Sequence, residues 1–179
     1  MSHCSNCKDC AVGEKSRLQN AAQTRRSTID FSATAGIGNA SHPAPVYAFA
    51  HRNGRLNNDA ADAGIHFDGL QASSPSHFSL DSSEIFCGVP GTYLIHYTLF
   101  LPRGADIDTL FQLEVNQQTL LPSVLHVEHA ADTPGATYAS QALLTATSPM
   151  VCRLVSGEEI DVRDATATAV ATLSLLKID

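Results

Sequence analysis

From Val46 onward the chain alternates apolar and polar residues in short runs, each closed by a turn signal. Val46-Tyr47-Ala48-Phe49-Ala50 is the first run, and Asn53-Gly54 stops it. Ile65 and Phe67 alternate before Asp68-Gly69, and His77-Phe78-Ser79-Leu80 and Ile85-Phe86-Cys87 follow as short candidates. Pro90-Gly91 introduces the longest strand, Thr92 to Leu101. On it Tyr93, Ile95, Tyr97 and Leu99 point one way, and Leu94, His96, Thr98 and Phe100 the other. Pro102-Arg103-Gly104 ends that run. Phe111, Leu113 and Val115 alternate next, then come Val124–Val127, Tyr138–Thr147, Val151–Val155, Ile160/Val162 and a closing strand Ala169–Ile178. About ten short runs with turns every 8–12 residues predict an all-β sandwich or jelly roll. The Val, Ile, Thr and Tyr content of the runs supports strands.

The first 44 residues break this pattern. Residues 1–26 hold few large apolar side chains and no alternation, and read as an arm with room for a short helix around Gly13–Arg26. Thr28-Ile29-Asp30-Phe31-Ser32 could form one short strand through Ile29 and Phe31, before a Gly- and Pro-bearing linker. The expected division is an arm and linker over 1–44 and one domain over 45–179.

Charge sharpens the division. The 179 residues carry a formal net charge of −7. Residues 1–30 contain five basic and three acidic side chains, whereas the remainder contains six and fifteen. The acidic balance argues against a general nucleic-acid binder, and no run approaches the length of a membrane span. Apolar residues make up 44% of the chain, too many for disorder throughout, and Gly shows no collagen period. MSHCSNCKDCAVGEK has no signal-peptide core, which predicts delivery by another route.

Several segments together resemble the complement C1q/tumour-necrosis-factor (TNF)-like jelly roll. Val89-Pro90-Gly91-Thr92-Tyr93 is similar to the family's opening of a long central strand, and Val46–Ala50 to its first strand. Ile65-His66-Phe67-Asp68 sits where the family has a short strand after the first hairpin. Ser156–Arg163 resembles its "GDxVxLR" strand, and Ala171–Ile178 its closing strand. Phe111-Gln112-Leu113-Glu114-Val115-Asn116 resembles the "FxLxVNG" of bacterial spore-surface glycoproteins, the branch it looks nearest to. The likeness covers about residues 45–178. It departs at Gln117, which stands where Gly is expected, and in having a cysteine arm in place of a collagen-like stalk. The resemblance implies a ten-stranded jelly roll that associates as a homotrimer.

The sharpest local chemistry is Cys4-x-x-Cys7-x-x-Cys10. Three thiolates could hold zinc with His3, but a closed site wants four ligands. They could instead form intermolecular disulfides, with Cys87 and Cys152 of a neighbouring copy as acceptors. They could also be incidental thiols, and Cys87 and Cys152 simply small buried hydrophobes. Five cysteines is an odd count, which favours an intermolecular bond or a leftover thiol. His126-x-Glu128-His129 does not converge on a strand, because His129 opposes the other two. Asp106-Ile107-Asp108 could bind calcium, though no dense ligand loop surrounds it. No catalytic motif can be assembled, so neither enzyme activity, metal nor cofactor is expected. Tyr93, Ile95, Tyr97, Leu99, Leu173 and Leu175 are expected in the core or at a trimer seam.

These readings predict a self-associating structural subunit of a bacterial surface filament or coat, spore appendage or exosporium, with trimeric heads joined through arms. Its partners would be itself and other coat proteins. The alternative is a trimeric head that binds a carbohydrate or other ligand.

Overall fold

The computed structural model describes residues 44–58, 63–164 and 169–179. The arm expectations, at Cys4, Cys7, Cys10, Ile29 and Phe31, lie outside the described residues. Within them the chain forms thirteen strands: β1 (Tyr47–Asn53), β2 (Arg55–Asn57), β3 (Gly69–Ala72), β4 (Phe78–Asp81), β5 (Glu84–Cys87), β6 (Gly91–Leu101), β7 (Ile107–Val115), β8 (Gln118–Thr119), β9 (Leu125–His129), β10 (Ala136–Ala146), β11 (Met150–Ser156), β12 (Asp161–Arg163) and β13 (Ala169–Lys177). A single 3₁₀ turn, Leu121–Ser123, interrupts them.

Eleven of these strands build two antiparallel sheets. One runs β10-β6-β13-β1-β3; the other runs β4-β5-β11-β7, with β9 and the short β8 sharing the far edge of β7. The remaining pair, β2 and β12, forms a separate ribbon. The sheets face each other as a jelly-roll sandwich, and the expected ten-stranded all-β architecture holds with three short strands added.

The alternation in the sequence explains which face of each strand is covered. Along β6, Tyr93, Ile95, Tyr97, Leu99 and Leu101 are fully buried, while the intervening side chains are not. Ile107, Phe111, Leu113 and Val115 of β7, Cys152 and Leu154 of β11, and Leu173 and Leu175 of β13 complete the core. Burying a Leu, Ile or Phe side chain contributes roughly 1.5–3 kcal/mol, so this core dominates stability. Two phenols add direction. The Tyr97 hydroxyl donates across the sandwich to the carbonyls of Ser123 (3.0 Å) and Phe111 (3.3 Å). The Tyr93 hydroxyl donates to the Val89 carbonyl at 2.7 Å. Ser123, itself buried, ties the 3₁₀ turn to β7 by accepting the Leu113 N–H at 2.8 Å.

Two local expectations need correction. The strand placed at Ile65–Asp68 is only an isolated bridge there; regular pairing begins at Gly69, where a turn was expected. Ile65 and Phe67 are buried, as their alternation implied, but the main chain satisfies itself by other contacts, such as Ile65 N–H to Leu154 O at 2.8 Å. Gly69 pairs with His51 and lies close against its ring; a Cβ there would come 3.0 Å from Cε1.

The second correction concerns Gln117. The tight turn that Gly would favour forms without it. Asn116 and Gln117 both take positive φ, 51° and 65°, which closes the two-residue hairpin between β7 and β8. Asn116 tolerates this and accepts the Val151 N–H through Oδ1 at 2.9 Å, whereas Gln117 is strained.

Replacing Gln117→Gly should therefore stabilise the domain by about 0.5–1 kcal/mol, read as a higher urea midpoint at unchanged slope. Tyr97→Phe should destabilise it by about 1–2 kcal/mol, because two buried carbonyls lose their donor.

Candidate functional site

The sequence offered thiols, a histidine cluster and a seam as candidate sites, and their positions separate them. Cys87 and Cys152 lie on neighbouring strands, two residues out of register, and both are fully buried and unbonded. Burial, and secondarily the nearby Cys87, pushes the Cys152 thiol up to about 12. Thiolate is the attacking species in disulfide exchange, so Cys152, buried and held protonated, is a poor acceptor, and burial keeps the Cys87 sulfur out of reach. The expectation that these two receive the arm cysteines is corrected accordingly: they behave as small core hydrophobes. Cys87 further points its sulfur at the Tyr93 hydroxyl, 3.3 Å away. Burial and that contact also raise the Tyr93 phenol well above its ordinary range.

His126 and Glu128 project to solvent from β9, and His126 pairs with Asp108 at 2.7 Å. His129 faces inward, as the strand period required. It is only 1% exposed, with Nδ1 3.2 Å from the Tyr138 hydroxyl. Among the described residues no group of three or more His, Cys, Asp or Glu is placed to hold a metal.

The seam candidates Tyr93, Ile95, Tyr97, Leu99, Leu173 and Leu175 are all fully buried between the sheets, so they are core and cannot touch another copy. The opposite face of the same sheet carries the exposed apolar surface. Register places Leu143, Leu94, Leu176 and Tyr47 in one row across β10, β6, β13 and β1. Leu143 is 64% exposed and Leu176 42%. The next row runs Gln141, His96, Ser174, Phe49 and Gln71, with Phe49 37% exposed. Neither row contains an Asp, Glu, Lys or Arg. The parity read from the sequence was right; what it lacked was which of two apolar faces the second sheet would cover.

A groove of about 380 Å³ opens at one end of the sandwich, between the start of β7 and the segment that joins β11 to β12. Buried Asn58 shapes its second wall. Its Nδ2 donates to Ser156 Oγ (2.7 Å) and Glu158 O (3.1 Å), and its Oδ1 accepts the Ile160 N–H (2.8 Å). Asp161 at the rim is held by both Arg55 nitrogens, at 2.6 and 2.8 Å. That hydrogen bond lowers the Asp161 carboxyl below its usual range. Sequence reading missed the groove because its walls are some 50 residues apart and meet only through the β7–β11 pairing.

No family model and no curated protein matches the chain. Solved structures do. The globular domain of zebrafish complement 1qA protein superposes with a TM-score of 0.52 at 12% identity, covering 75% of this chain and 97% of that one. Murine APRIL at pH 5.0 gives 0.51 at 8% identity, covering 75% and 99%. The fold is a C1q/TNF-like jelly roll. At such identities the likeness is one of architecture and carries no activity with it.

Two outcomes follow from the buried groups. Ellman's reagent should modify no more than three of the five thiols in the native protein, with Cys87 and Cys152 reacting only on unfolding. Burial also raises Tyr97 from 10.0 to about 12, as it raises Cys152 from 9.0 to about 12. The unfolded chain releases these protons first, so stability should be full below about pH 9 and fall as pH rises towards 12. Tyr97→Phe should flatten that decline in urea titrations.

Proposed function

We propose that the protein is a non-enzymatic, self-associating structural subunit. Its heads form homotrimers through the outer face of the β10-β6-β13-β1-β3 sheet, and its arms link heads into a filament or coat layer on a bacterial spore or cell surface. The single observation that supports self-association most directly is the apolar row Leu143, Leu94, Leu176 and Tyr47, exposed at Leu143 and Leu176 and half-buried at the other two. A contiguous exposed apolar face on a folded domain marks an interaction surface. The outer edge of β10, unpaired among the described residues, adds to it: eleven residues, Ala136–Ala146, with no charge and no proline to discourage another chain. The trimer and the spore surface come from the resemblance of the strand motifs. Because the domain thiols are buried, covalent linkage in this reading joins arm to arm, through Cys4, Cys7 and Cys10 of different copies.

Under reducing conditions the full chain should sediment at three times its 19.0 kDa mass. Leu143→Asp/Leu176→Asp should sediment as monomer with an unchanged far-UV spectrum. A folded variant that remains trimeric would show that this face is not the seam. Without reductant the wild type should show a reducible high-mass ladder that Cys4→Ser/Cys7→Ser/Cys10→Ser abolishes. A clean trimer with neither ladder nor fibres would favour a ligand-binding head instead.

A further inference from the structure

We propose that self-association through the outer sheet face is gated by protonation of His96: copies join while its imidazole is neutral and part once it is charged. This rests on that face being the contact between copies, and adds what controls it.

The register places His96 in the middle of the face. β6 lies between β10 and β13, and His96 pairs with Gln141 on one side and Ser174 on the other. Along β6 it stands between Leu94 and Thr98, which share its face. One neighbouring row is therefore the apolar row of Leu143, Leu94 and Leu176. The other holds Ala139, Thr98, Thr172 and His51. The ring is half-buried, and the Ser174 hydroxyl donates at 3.3 Å to the His96 carbonyl.

None of these three rows contains an Asp, Glu, Lys or Arg. The other titratable side chains on them are Tyr47 and His51, both on β1, which β13 separates from β6. Next along β13 and β1 come Lys177 and Arg52, and each is already paired, with Asp179 and Asp68. β10, which borders the face, carries no charge in its eleven residues.

That composition decides the sign of the pH effect. A neutral imidazole can be covered at little cost, because neutral neighbours such as Gln141 and Ser174 can serve its two nitrogens. An imidazolium covered by an apolar surface loses its water and gains no counter-charge. A foreign partner could bring a carboxylate to it. A second copy that meets it through this face or the β10 edge has none to bring. Symmetry repeats the charge as well, since every copy contributes its own His96. Imidazole changes charge between about pH 5 and 8, so acid should loosen the contact.

The rest of the molecule pushes the other way. The formal charge of −7 makes copies repel near neutrality, and it shrinks towards the sequence pI of about 5.5. Net charge alone predicts tighter association on acidification, whereas His96 predicts looser association. The two accounts differ in sign.

The test uses the full chain with reductant present, at equal ionic strength and at about pH 7.5 and about pH 5.0, read by sedimentation equilibrium. The wild type should be trimeric at the higher pH. At the lower pH it should stay folded, and the concentration for half-assembly should rise by about tenfold or more. His96→Gln keeps a polar side chain that takes no proton; it should assemble at both pH values, within about threefold. His51→Gln should keep the wild-type response. Far-UV spectra and thermal melts check the fold of each variant at each pH. The gate alone is overturned by a wild type that assembles as well in acid, or that comes apart only by unfolding. It is equally overturned by a response that survives His96→Gln or disappears in His51→Gln, or by a His96→Gln variant that is monomeric at the higher pH. A wild type that is monomeric at the higher pH, or a folded Leu143→Asp/Leu176→Asp that stays trimeric, overturns the seam and the gate together.

Discussion

The inward row of β6 is the constraint on which the domain depends. β6 is paired along its whole length by β10 on one side and from Tyr93 to Leu99 by β13 on the other, so its side-chain parity propagates to both neighbours. Tyr93, Ile95, Tyr97, Leu99 and Leu101 fill the space between the sheets, and the Tyr97 hydroxyl ends on carbonyls that belong to the opposite layer. Apolar burial alone would permit some sliding, whereas a phenol that must meet one pair of carbonyls does not. A slip of one residue would exchange the faces entirely. The register that buries Tyr97 is therefore also the register that displays Leu94, Leu143 and Leu176.

The two surfaces described above are geometrically independent for this reason. One is the broad side of a sheet, and its contacts would run across the strands. The other is at the pole where β6 ends and β7 begins, and its contacts would run along them. Contacts on the first would draw on apolar area and contacts on the second on charge. Neither competes with the other for a side chain.

Much of the fold was legible because antiparallel strands write their burial into a period of two. Ile95, Leu113, Leu154 and Leu173 each sit where that period put them. Legibility failed where the main chain, not the side-chain pattern, decides the structure. Ile65 and Phe67 alternate and are buried, yet their segment makes only a bridge. Gly69 looked like a turn, and is a strand residue paired with His51 and packed close to its ring. The surfaces were less legible than the fold. β6 is apolar on both faces at several positions, so periodicity could not say whether Tyr93 or Leu94 would be covered. The groove was invisible because Asp106 and Glu158 are brought together by topology, and Asn58 gave no sign in the sequence of being the residue that holds the wall.

The open flank of β10 carries a consequence for the protein before it reaches its final surroundings. An uncharged strand of eleven residues, next to a β6 that also carries no Asp, Glu, Lys or Arg, is the kind of template on which nascent copies mispair. Irregular β-stacking at this edge would compete with folding of the sandwich. The same lack of charge that suits the strand to contact leaves it without gatekeepers while it waits. Synthesis at high local concentration, where partners meet quickly, would favour the ordered outcome only if folding of the sandwich outpaces encounter.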